Sequence, residues 1–114
     1  MPVINAYSFG KIVIDGITYK SDVIIFPNKV KSNWWRKEGH ELNPEDIKEI
    51  LEFKPKLLIV GTGAYGLMKV KEETKKILRK EGIELVEMPT EKAWRFYNEK
   101  ASKEKVVAAL HLTC

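Results

Sequence analysis

Leu57-Leu58-Ile59-Val60-Gly61-Thr62-Gly63-Ala64-Tyr65-Gly66 is the stretch from which the fold is read. Leu57 to Val60 is an unbroken apolar run between Pro55 and a glycine cluster, the pattern of a strand buried on both faces. Downstream, Glu72-Glu73 leads a helix in which Thr74, Ile77, Leu78 and Glu81 keep helical spacing, and Gly82 closes it as a left-handed cap. Ile83 to Val86 then reads as a second strand. A helical crossover between the two should leave them parallel and right-handed. Thr90 and Glu91 cap a third helix carrying Ala93, Trp94, Phe96, Tyr97 and Ala101, and Val106 to Leu112 forms a further apolar strand. The second half is therefore an α/β sheet.

Upstream of Pro55, Asn43-Pro44-Glu45-Asp46 supplies a side-chain cap, a proline at the first helical position and two acids at the positive end of the helix dipole. Ile47, Ile50, Leu51 and Lys54 follow at spacings of three and four, so a short amphipathic helix is expected there. Residues 3 to 31 change period. Ile12 and Ile14 flank Val13, Ile17 and Tyr19 flank Thr18, and Val23 to Phe26 is solidly apolar. Gly10, Asp15-Gly16, Ser21-Asp22 and Pro27-Asn28 punctuate these segments at turn spacing, which predicts an antiparallel meander of short strands.

Of 114 residues, 44% are hydrophobic and 32% charged, enough to bury a core and coat it with solvated charge; one domain spanning residues 1–114 is expected. The net charge of +4 is scattered, with no basic block that would form a nucleic-acid-binding arm. A single Cys excludes an intramolecular disulfide, no apolar run approaches the roughly 20 residues of a membrane span, and no leader is evident, so a soluble cytoplasmic protein is expected. Gln is absent while Lys and Glu crowd the helices, a bias that fits a thermophile.

The glycine segment is a literal G-x-G-x-x-G after a strand, with Glu84 and Glu87 near the distance of a ribose-binding acid. Leu67 to Lys71 delays the helix, however, and about 48 residues cannot complete a dinucleotide fold. A tight turn is the favoured reading, followed by an anion site built from successive backbone N–H groups. Trp34-Trp35-Arg36 with His40, near Lys29, Lys31 and Lys37, could stack bases, but one Trp entering the core and the other lying on the surface under the Arg36 stem is favoured; nucleic acid is disfavoured as a partner. His111 and Cys114 lack the further ligands a metal needs. Asp15, Asp22 and Asp46 read as turn or capping residues. No catalytic residue, metal or cofactor is expected.

Tyr7-x-x-Gly10-x-Ile12 with Tyr19, Asp22-Val23-Ile24-Ile25, Trp35-Arg36 with His40, Gly61-Thr62-Gly63, Met88-x-Thr90 with Ala93, Tyr97-Asn98 and Val107-Ala108-Ala109-Leu110 recur in one order across nearly the whole chain. In these motifs the sequence resembles the Mth-type small α/β domain family of unknown function. Its relatives include the adipogenesis-associated Mth-type domain protein and a mitochondrial complex I assembly factor. The resemblance implies a three-layer α/β fold with a mixed central sheet and an N-terminal antiparallel β layer. It also implies no established enzymatic activity and, for the mitochondrial members, assembly through protein contacts. The leading functional expectation is a non-catalytic interaction or assembly module. Its surface pocket would join Gly61, Thr62 and Gly63 to Trp35, Arg36, His40, Tyr97 and Asn98, for a protein partner or a second copy of the chain. The alternative is a small anionic-ligand or nucleotide binding protein, or an enzyme, using the Gly61-Thr62-Gly63 loop with Arg36 as counter-charge and His40 as proton carrier.

Overall fold

In the computed structural model, which describes residues 1–114, the strand that comes last in sequence lies at the centre of the main sheet. The strands are β1 (Ile4–Ser8), β2 (Lys11–Ile14), β3 (Ile17–Tyr19), β4 (Val23–Phe26), β5 (Lys29–Lys31), β6 (Glu41–Leu42), β7 (Leu57–Thr62), β8 (Lys69–Val70), β9 (Glu84–Met88) and β10 (Val106–His111), and the helices are α1 (Lys48–Phe53), α2 (Glu72–Lys80) and α3 (Thr90–Lys100). The five-stranded sheet runs β5-β4-β10-β7-β9. β10 pairs parallel with β7 and antiparallel with β4, so the sheet is mixed. β7 and β9 are parallel neighbours, as the crossover rule requires of a strand, helix, strand run.

The meander expectation needs one correction. Only β1, β2 and β3 form it; β4 leaves and joins the central sheet, where β5 folds back on it. The reason is burial. β4 is apolar at all four positions and is covered on both faces, whereas the meander strands alternate and have only one face to bury.

Strict alternation along β4, β7 and β10 divides their side chains between two cores. Val23, Ile25, Leu57, Ile59, Val106, Ala108 and Leu110 point to one face, where the meander's Ile4, Ile12 and Ile14 meet Ala93 and Tyr97 of α3. Ile24, Phe26, Leu58, Val60, Val107 and Ala109 point to the other, under Ile50 of α1 and Leu78 of α2. Three layers result, with α2 and α3 on opposite faces of the sheet. The segment from Asn43 begins as a 3-10 turn, Pro44–Ile47, before α1, and Lys54 closes α1 in the left-handed region at φ 55°. α3 is a departure from the expected cap: Thr90 is its first residue rather than its cap, and its hydroxyl is engaged elsewhere.

Candidate functional site

The carboxyl ends of β7 and β10 lie side by side, Thr62 opposite His111, and the segment between β5 and β6 folds over them. Irregular backbone from Asn33 to His40 is held there by three anchors. Trp34 is buried and its Nε1 donates to the carbonyl of Asp46 at 3.1 Å. Asn33 N–H donates to Ser21 Oγ. Arg36 stacks its guanidinium on the Trp34 ring, 4.8 Å from the centroid. The guanidinium therefore covers Trp34 and not Trp35, contrary to the sequence expectation, and Trp35 stands 83% exposed between its two anchored neighbours.

Asp22, expected as a turn residue, is the hub. Its Oδ2 accepts from Arg36 Nη1 at 2.8 Å and from His111 Nδ1 at 2.7 Å, and its Oδ1 accepts from the Leu112 amide at 2.7 Å. Burial opposes ionisation of this carboxyl, but hydrogen bonds from His111, Leu112 and Arg36 outweigh it and hold the pKa below the ordinary value. An ionised carboxylate only accepts, so the imidazole proton belongs on His111 Nδ1. Arg36 Nη2, 3.0 Å from that nitrogen, finds its acceptor in the Gly39 carbonyl at 3.1 Å. The His40 ring, exposed, stands edge-on to the His111 ring with centroids 6.2 Å apart. A cleft of about 430 Å³ opens here, with Lys20, Trp35, Arg36, His111 and Thr113 among its walls.

The Gly61-Thr62-Gly63 loop meets this cluster from the other side, and its glycines are required by close packing. A Cβ on Gly61 would lie 2.8 Å from Thr90 Oγ1 and from Leu110 Cδ2; one on Gly63, at φ +103°, would lie 2.6 Å from the Thr113 carbonyl and 2.8 Å from His111 Cδ2. The loop's amides are turned inward. Gly63 N–H donates to Thr90 Oγ1, which itself donates to the His111 carbonyl, and Ala64 N–H donates to the Thr113 carbonyl. An anion cradle needs such groups free. Here they tie β7 to α3 and to the tail beyond β10. Between Gly66 and α2 the chain inserts β8, so no helix N-terminus faces the loop as a pyrophosphate site would require.

The structure thus brings Gly63, Trp35, Arg36 and His40 to one end of the molecule, with Gly61 and Thr62 just behind them, but it places Tyr97 and Asn98 elsewhere. Tyr97 is fully buried, its hydroxyl donating to the Pro2 carbonyl at 2.8 Å. Asn98 bonds both the amide and the carbonyl of Ile4, completing the edge of β1 as a backbone would. Both clamp the meander to α3, two turns of helix away from Thr90. Sequence reading missed Asp22 and His111, whose contact spans 89 positions; a lone Asp beside Ser21 carries no local signal of such a partner.

The chain matches, over residues 4–111, the family model described as protein of unknown function (DUF498/DUF598). Among solved structures, it is similar to a conserved hypothetical protein from Pyrococcus horikoshii OT3, at 30% identity and TM-score 0.84, with 97% of this chain and 98% of that one covered. A protein called MT938 matches at 26% identity and TM-score 0.81 over the full length of both chains. A Bartonella henselae protein described as an outer membrane protein matches at 26% identity and TM-score 0.85, covering 99% and 96%. In this chain no helix is long and apolar enough to cross a membrane. A Mth938-like domain from Bordetella pertussis shares the fold at 22% identity and TM-score 0.71, with 97% of this chain and 85% of that one covered. With the family model matching all but a few residues at each end, and the three-layer arrangement shared with these structures, the chain belongs to the DUF498/DUF598 family of unknown function, with a Mth938-like fold.

Proposed function

We propose that the protein is a non-catalytic interaction module of the cytoplasm that docks a partner protein through the end of the sheet bearing Trp35. The carrying observation is Trp35 itself, 83% exposed while the residues on either side are buried and bonded. An indole held outward by fixed neighbours is pre-organised, and Trp and Arg are the side chains most often found at the energetic centre of interfaces. The surrounding surface agrees. Thr113, which shares the cleft with Trp35, accepts from Ala64, and the Leu112 carbonyl before it accepts from Gly10; next to Ala64 and Gly10 lie exposed Tyr65 and Phe9, whose rings are 6.2 Å apart. Trp35 lies between Lys20 and Arg36 on one side and Glu45, Glu49 and Glu52 on the other, so the surface suits a partner with an aromatic-accepting pocket ringed by both signs of charge.

No hydroxyl or thiol lies within hydrogen-bond distance of His111 or Asp22, which supports binding rather than nucleophilic chemistry. The test compares wild type with Trp35→Ala as bait, after confirming equal thermal stability. A stoichiometric protein bound by wild type should lose at least about tenfold in affinity with the variant, the size of an interface hot spot. Equal binding by the two baits would refute this role for Trp35. If the captured protein is a second copy of the chain, the same substitution should dissociate the dimer in light scattering.

A further inference from the structure

Two side-chain nitrogens of the cleft have no hydrogen-bond partner although both are shut away from solvent: Arg36 Nε and His111 Nε2. The side chains that carry them are 5% and 7% exposed, and both form walls of the same cleft. Buried polar atoms are nearly always satisfied, so this pair is an exception that calls for a ligand. Its chemistry follows from the partners already assigned. Arg36 Nε carries a hydrogen and can only donate. With the ring proton of His111 fixed on Nδ1 by Asp22, Nε2 carries the lone pair and accepts. The guanidinium charge is meanwhile matched by Asp22.

We infer that the Arg36 and His111 wall of the cleft binds a neutral group that both accepts and donates a hydrogen bond, a primary carboxamide or a hydroxyl, carried on a body that stacks against Trp35. With the ring neutral, the lone pair at Nε2 would face an anion's negative oxygens, so a group that can donate there is the better match. This differs from the anionic ligand of the alternative sequence reading, and it holds whether or not Trp35 also docks a protein. Because both nitrogens are shut away from solvent, binding requires side chains of the cleft wall to rearrange. The group can come from a free small molecule or from an Asn, Gln, Ser or Thr side chain of a polypeptide.

The experiment uses the intact, 15N-labelled protein. Long-range nitrogen–proton spectra first report which ring nitrogen of His111 is protonated; a proton on Nε2 in the free protein would overturn the inference. Benzamide, benzyl alcohol and benzoate are then titrated in parallel, following the Arg36 Nε–H and His111 Nε2 resonances. Benzamide or benzyl alcohol should move both saturably, with a Kd on the order of 1 mM for probes this small, and benzoate should bind at least about tenfold more weakly. A short Gln-containing peptide, blocked at both ends, separates a polypeptide source from a free one. Arg36→Lys keeps a charge beside Asp22 and removes Nε–H, and should abolish the benzamide response. Benzoate binding as tightly as benzamide, or no saturable response to any probe, would refute the proposal. The second result would leave those nitrogens to an occluded water only. Because Trp35→Ala capture and these titrations read different molecules, failure of one leaves the other interpretable.

Discussion

Replacing Asp22 by Asn should be among the most destabilising polar substitutions in this protein. The carboxylate accepts three donors at 2.7 to 2.8 Å: an amide, an imidazole and a guanidinium. The isosteric amide keeps one acceptor, which Leu112 can retain, and turns an N–H₂ toward Arg36 and His111, both themselves donors there. Arg36, 5% exposed in its side chain, then holds an unmatched buried charge. Removing one partner of such a pair costs about 3 to 5 kcal/mol. At an m value of roughly 1 to 2 kcal/mol per molar urea for a small domain, the midpoint should fall by about 1.5 to 5 M. Arg36→Met added to Asp22→Asn should recover much of this loss, since the pair is then replaced rather than broken. The pH dependence carries the same signature. The Asp22 pKa is lower in the folded protein than in the unfolded chain, so its contribution is complete above the unfolded value and disappears as pH falls through the folded one. Wild type should therefore lose stability in acid more steeply than the Asn variant. Urea melts at pH 7 and pH 3 check both points. A loss under about 1 kcal/mol at pH 7, or a double variant no more stable than the single one, would refute the hub role given to Asp22.

Gly63→Ala forces a Cβ against the Thr113 carbonyl and His111 at a left-handed backbone, and should cost about 2 to 4 kcal/mol in thermal melts. Gly66→Ala, whose nearest neighbour would be 3.5 Å away, should lose only about 1 kcal/mol for its positive φ. Trp34→Ala should cost about 3 to 5 kcal/mol, and Trp35→Ala within about 0.5 kcal/mol of nothing, by the same melts. Asn98→Ala removes both bonds to Ile4, so the Ile4 amide should exchange with solvent far faster than the amides of β7. Burial, with Asp15 adding to it, pushes the Tyr97 hydroxyl up to about 12. The unfolded chain releases that proton first as pH rises past its ordinary value near 10, so stability should fall between about pH 10 and 12 in wild type and stay flatter there in Tyr97→Phe.

The sheet could be read from the sequence because each of its deep strands is an unbroken apolar run bounded by turn residues, and that signal is local. β7 with its glycines, α2 with Gly82 and the Asp15-Gly16 hairpin follow it, the last with φ 49° and 78° as a tight hairpin demands. Which strands pair is not local. β4 looked like part of the meander because Ser21-Asp22 reads as a turn; its two-faced burial sends it to β10. The site suffered most from this. Trp35, Arg36 and His40 stand close together in sequence and remain together in space, whereas Asp22 and His111 meet only because β4 and β10 pair. Tyr97 and Asn98 enter the expected pocket as a motif of the family resemblance, but helix geometry carries them away from Thr90 to the other end of α3, where their polar atoms serve backbone.

The central position of β10 bears on how the protein is made. A chain emerging from its amino end has already produced β4 and β7, each intended to be hidden on both sides, before residues 106–111 exist to join them. Until then the nascent sheet has a gap in its middle with two sticky, unsatisfied edges, and the contacts that close it link positions as far apart as 23 and 110. Closure of the central sheet therefore has to wait for its last strand, and a holdase that shields apolar strands during translation should raise the yield of folded protein.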